Sequence, residues 1–162
     1  MLLLIFRLLK FNVYLLPRVG CTFSTPNGVE YAAVERRPII MFADDDPALL
    51  ESASDTLREA GFKVIEAASG QEALQEALSR RVNLIVMDAS MPEVTGVEAC
   101  HCLKAMPKTR KIPVVLTVAK KDPSSRALGE RTHGSVRVLY KPFSPDELVS
   151  VARELVRPRL LL

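Results

Sequence analysis

Six polar residues of this chain stand where apolar runs end, and together they could do phosphorus chemistry. Asp44, Asp45 and Asp46 follow the run Ile39 to Ala43, and Asp88 follows Val82 to Met87. Thr117 lies near the end of Ile112 to Val118, and Lys141 follows Val136 to Tyr140. Converging carboxylates repel one another, and burying them is costly unless a cation neutralises them. A few carboxylate oxygens, with the other positions left to water, backbone carbonyl and phosphate oxygens, describe a magnesium site. An aspartate facing such an ion can act as a carboxylate nucleophile toward phosphorus. Thr117 and Lys141 would then hold the phosphoryl oxygens, because in phosphoryl transfer the protein mainly positions groups and neutralises charge. Asp46, followed by Pro47, also reads as a helix N-cap.

These residues can meet only if the runs are strands of one sheet. From Pro38 onward, apolar runs of strand length alternate with amphipathic stretches of helix length, strand then helix, five times over. The runs are Ile39 to Ala43, Phe62 to Ala67, Val82 to Met87, Ile112 to Val118 and Val136 to Tyr140, mostly rich in β-branched residues. Gly61 closes the first helical stretch, in which Leu49, Ala53, Leu57 and Ala60 recur at helical spacing. Ser69 with Glu72 and Ser144 with Glu147 read as capping boxes of the second and fifth helices. Nearly all-apolar strands alternating with helices imply an α/β fold, a parallel sheet covered on both faces. Ligands of such sheets bind beyond the carboxyl ends of the strands. The second run ends in Ala67 and Ala68 and offers no polar cluster.

Composition bounds the function. At 162 residues and 48% hydrophobic, the chain has room for one well-buried domain and an extension. The net charge of +3 resides in residues 1–37, where five basic residues face two acidic ones; the rest is balanced. A balanced domain gives no electrostatic argument for binding nucleic acid, which needs a clustered basic face. Three cysteines, Cys21, Cys100 and Cys102, form no disulfide framework and fit a reducing, cytoplasmic setting. Cys100 and Cys102, two apart on a helix, point to different faces, which disfavours zinc. The apolar stretch of residues 1–17 is too short and too charged for a spanning helix, since it contains Arg7 and Lys10, so a membrane role is not expected. It fits an interfacial anchor, an atypical signal segment, or sequence upstream of the true translation start, and the last is favoured. Lys104, Lys108, Arg110, Lys111, Lys120 and Lys121 read as a solvated loop region in preference to a docking surface.

Four motifs, IIMFADDDP, LIVMDASMPEVTG, IPVVLTV and LYKPF, occur in this order, and over about residues 38–157 the sequence resembles the receiver domain of two-component response regulators. The resemblance implies a flavodoxin-like, doubly wound sheet of five parallel strands in the order 2-1-3-4-5, with residues 1–37 as an extension and 158–162 as a tail. It implies Asp88 as phosphoacceptor, Asp45 as a direct magnesium ligand, Asp44 through water and Ser90 through its backbone carbonyl. Thr117 and Lys141 match the switch hydroxyl and the phosphate-binding lysine. Met91-Pro92 and Gly96 match the loop after the acceptor, and Lys141-Pro142 matches a bond that is usually cis. Two positions depart from the pattern: Val118 replaces a small residue after the hydroxyl, and Val138 replaces an aromatic ring that turns inward. Tyr140, on the same strand face as Val138, is a candidate substitute.

The first expected function is a phosphorylation-switched signalling module with no enzymatic turnover of its own. A histidine kinase or phosphotransfer protein would donate, and a separate output protein would respond at the face of the fourth helix and fifth strand. The alternative is a receiver-like interaction module that works without phosphorylation, for which Val118 and Val138 speak. A haloacid-type phosphatase, suggested by the spacing of Asp44 and Asp46, leaves Asp88 without a role.

Overall fold

The computed structural model describes residues 37–119 and 136–156, and the backbone of residues 22–24 and 30–32. The chain divides into two compact units, Met1–Arg36 and Arg37–Leu162. In the first, Thr22–Ser24 pairs antiparallel with Glu30–Ala32. Strands of three residues are too short for alternation to register, so this stretch reads as patternless in sequence.

The second unit holds strands β1 (Ile39–Ala43), β2 (Lys63–Ala67), β3 (Leu84–Asp88), β4 (Val114–Ala119) and β5 (Val136–Lys141). Helices α1 (Pro47–Glu59), α2 (Gly70–Ser79), α3 (Gly96–Ala105) and α4 (Pro145–Leu155) are interspersed. All strand pairs are parallel, in the order β2-β1-β3-β4-β5. This is the predicted α/β architecture and strand order. The helix expected between β4 and β5 falls on residues 120–135, outside the described residues. So do the apolar run 1–17, Cys21, Lys120, Lys121 and the tail from 158.

Strand periodicity of two sorts the core into two layers. Met41, Ile85, Met87 and Leu116 face one side with Ala73, Ala77, Ala99 and Leu103 of α2 and α3. Ile40, Phe42, Val86 and Val115 face the other with Ala53, Leu57, Leu148 and Ala152 of α1 and α4. Both faces are covered, so the inner strands are apolar except at Asp88 and Thr117 near their carboxyl ends. Each large side chain so buried stabilises the fold by about 1.5–3 kcal/mol. Phe62 and Val82, expected within strands, precede the paired residues although both are buried.

Caps set the helix starts. The Asp46 carboxylate accepts from the Ala48 and Leu49 amides. Ser144 and Glu147 exchange both bonds of a capping box. The expected box at Ser69 is only half formed: Ser69 accepts from the Glu72 amide, but the Glu72 carboxylate takes the Ala68 amide one residue earlier. A full box not anticipated from sequence, Thr95 with Glu98, opens α3. Cys100 is buried and Cys102 exposed on opposite sides of α3.

The expectation of a solvated basic loop fails for Lys104, which is partly buried and donates to the carbonyls of Ile112 at 2.5 Å and Arg110 at 3.4 Å. Burial pushes its ammonium below the usual lysine range. Lys108 donates to the Leu78 carbonyl near the C-terminal end of α2, where a cation is favoured. Among the described residues no helix is long and apolar enough to cross a membrane.

Candidate functional site

Register brings the acceptor and the hydroxyl side by side. Asp88, the last residue of β3, pairs with Thr117 of β4, and the Thr117 hydroxyl donates to Asp88 Oδ1 at 3.4 Å. Ala43 of β1 pairs with Met87, so Asp44 emerges beside Asp88. Lys141 ends β5 and reaches back between them, with Nζ 2.7 Å from Asp44 Oδ2 and 2.6 Å from Asp88 Oδ1. The remaining oxygens are held by backbone: the Ser90 amide donates to Asp88 Oδ2 at 2.8 Å, and the Asp46 amide to Asp44 Oδ1 at 3.1 Å. Asp44, Asp88 and Thr117 are buried, whereas Asp45 is exposed at the rim. The structure thus gathers Asp44, Asp88, Thr117 and Lys141 and sets Asp45 and Ser90 beside them. Sequence reasoning missed the Asp46 amide, for which the only signal was the cap reading of Asp46-Pro47.

The site carries an excess of negative charge. Burial pushes the Asp44 carboxyl above the usual aspartate range, against the bonds from Lys141 and the Asp46 amide. For Lys141, burial works to lower the value, but the hydrogen bonds to Asp44 and Asp88 together outweigh it, so the ammonium holds its proton more tightly than usual. One ammonium cannot balance two buried carboxylates with Asp45 nearby. It does mark the place between Asp44 and Asp88 as one that favours a cation.

Magnesium suits the donor set: carboxylate oxygens of Asp44, Asp45 and Asp88 and the Ser90 carbonyl are hard donors, with no thiol or imidazole among them. Among the described residues no three His, Cys, Asp or Glu side chains form a ready-made cage. An ion held here would keep waters and take carbonyl and phosphate oxygens, as magnesium commonly does.

The loop after the acceptor is seated on two glycines. A Cβ on Gly96 would stand 1.9 Å from the Asp88 carbonyl oxygen, and one on Gly70 would stand 2.1 Å from the Val94 carbonyl oxygen. Between them Glu93 has φ 61°, and the Val94 amide donates to the Pro92 carbonyl at 2.8 Å, closing a tight γ-turn. Lys141-Pro142 is cis. Val118 is buried and Val138 partly so. Tyr140 is 42% exposed and does not turn inward to replace the missing ring.

The sequence matches the family described as the response regulator receiver domain over residues 40–153. It is 33% identical over 121 residues to the DNA-binding response regulator MtrA of Mycolicibacterium smegmatis, covering 75% of this chain and 51% of that protein. The chain spans about half the length of such relatives. Among solved structures, the chemotaxis protein CheY4 of Vibrio cholerae is 27% identical with a TM-score of 0.67, covering 74% of this chain and 98% of that one. The receiver domain of the sensor histidine kinase PA1611 of Pseudomonas aeruginosa, 24% identical, shares the fold with a TM-score of 0.67 over 74% of this chain and 98% of its own. That structure holds a magnesium ion in its active site cleft. A match over well more than half of the sequence, on a sheet of the same strand order, establishes that this chain belongs to the response regulator receiver domain family.

Proposed function

We propose that the chain is a phosphoacceptor module of a two-component phosphorelay, in which Asp88 takes a phosphoryl group from a histidine kinase or phosphotransfer protein. The observation that carries this is the buried Asp88 carboxylate bonded to Thr117 and Lys141, with Asp44 across the same ammonium. In the transfer, a carboxylate oxygen of Asp88 forms a bond to phosphorus as the bond to the donor's nitrogen breaks, and the imidazole departs with the electron pair. Asp44, Asp45, Asp88 and the Ser90 carbonyl would hold magnesium, which supplies positive charge to the phosphoryl oxygens. Lys141 neutralises a further phosphoryl oxygen, and the Thr117 hydroxyl donates to another. The new group favours one of two packings of the segment after Thr117, which changes affinity for a separate output protein. With Val118 and Val138 in place of the family's usual residues, the response is weaker than the chemistry. The chain turns over no substrate of its own, works in the cytoplasm and makes no contact with nucleic acid.

Incubation with magnesium and a small-molecule phosphodonor, followed by intact mass, is expected to show one added phosphoryl group. No addition would favour the phosphorylation-independent module. Lys141→Met keeps the apolar stem and removes the cation that competes with magnesium for Asp44 and Asp88. Magnesium affinity is expected to rise roughly fivefold or more, while phosphoryl uptake slows. A calorimetric magnesium titration checks the first, and the mass time course the second.

A further inference from the structure

We propose that Asp46 is a positioning residue that locks the buried Asp44 carboxylate to the first turn of α1; the inference rests on the magnesium-dependent reading of the site. Asp44 is 1% exposed, with Oδ2 held by Lys141 at 2.7 Å and Oδ1 by the Asp46 amide at 3.1 Å. Lys141 is shared with Asp88, so of these two contacts the Asp46 amide is the one that serves Asp44 alone. That amide is free to point into the site because an N-cap residue has extended backbone, here φ −84° and ψ 109°, and its N–H stands outside the helical ladder.

The other polar groups of Asp46 face the helix. Its Oδ1 accepts from the Ala48 amide at 2.9 Å and the Leu49 amide at 3.4 Å, and its carbonyl accepts from the Leu50 amide at 2.9 Å. Pro47, at the first helical position, has no N–H to place. Residue 46 therefore takes up every donor of the first turn, and those bonds fix the direction of its own amide. From the other side, the Asp44 amide donates to the Ala67 carbonyl at 3.1 Å. The buried carboxylate is aimed by a helix start on one flank and a strand on the other.

The test uses the full chain with Asp46→Ala and Asp46→Asn. Asparagine caps as well as aspartate, whereas alanine does not. A magnesium chloride titration followed by amide resonances of Asp44 and Ala89 is expected to show about tenfold weaker binding for alanine, as when a group that orients a metal ligand is lost. Asparagine is expected to stay within about twofold of wild type. Val156→Ala, in the buried position that ends α4, is expected to lower the unfolding midpoint without changing magnesium affinity, which separates positioning from general destabilisation. Wild-type affinity in the alanine variant would overturn the proposal. Equal losses in both variants would also overturn it, because charge would then matter in place of the cap. A wild-type chain that neither binds magnesium nor takes phosphate would instead remove the reading of the site itself.

Discussion

Asp88→Asn takes up no phosphoryl group under conditions in which the wild-type chain gains one. The amide matches the carboxylate in shape: its one oxygen can face the Ser90 amide, and its NH2 group then donates to the Thr117 hydroxyl, which turns to accept, while Lys141 keeps Asp44. What it lacks is the anionic oxygen that attacks phosphorus. The fold survives, because the substitution removes one of two buried carboxylates that share a single ammonium and so relieves their repulsion. Intact mass should show no addition, with an unfolding midpoint at or above that of wild type. Phosphate on the variant would move the acceptor elsewhere, and Asp44 and Asp45 would be the next residues to substitute.

The second large effect is on stability. Gly96→Ala is expected to cost about 3 kcal/mol or more, because the added methyl would lie 1.9 Å from the Asp88 carbonyl oxygen and 2.9 Å from the Met87 side chain. The better helix propensity of alanine returns at most about 1 kcal/mol. The colliding oxygen is backbone at the end of β3, so relief requires moving the acceptor itself. Phosphoryl uptake should fall together with stability. Gly61→Ala makes a useful contrast: a Cβ there meets nothing within 4 Å, and only its φ of 97° resists substitution. Denaturant titration of both variants should rank Gly96 as the costlier site by a clear margin.

Much of this arrangement is legible in the sequence, for physical reasons that differ by residue. The parallel sheet and the carboxyl-end placement of Asp44, Asp88 and Lys141 follow from apolar runs that end abruptly in charge, the strand order follows only from the resemblance of the motifs, and Asp46-Pro47 announces the start of α1. Partners chosen by geometry alone are less visible. Glu72 could have bonded to either of two adjacent amides, and it takes that of Ala68. Thr95 reads as a loop residue because its partner Glu98 lies inside a helix with little amphipathic contrast. Lys104 carries a charge that predicts solvent, yet the carbonyls after α3 draw it in. No pattern in the chain reveals that the Asp46 amide, as well as its side chain, has a task.

Lys141 follows Asp44 by 97 residues, and β5 is the last strand of the sheet. Synthesis runs from the N-terminus, so the ribosome releases both buried carboxylates well before the ammonium that bridges them. A nascent chain halted after β4 would hold Asp44 and Asp88 without Lys141, the ammonium that lies between them in the finished fold. Dissolved divalent cations could stand in for it at that stage, so early docking of β1 on β3 should respond more strongly to divalent cations than the finished protein does.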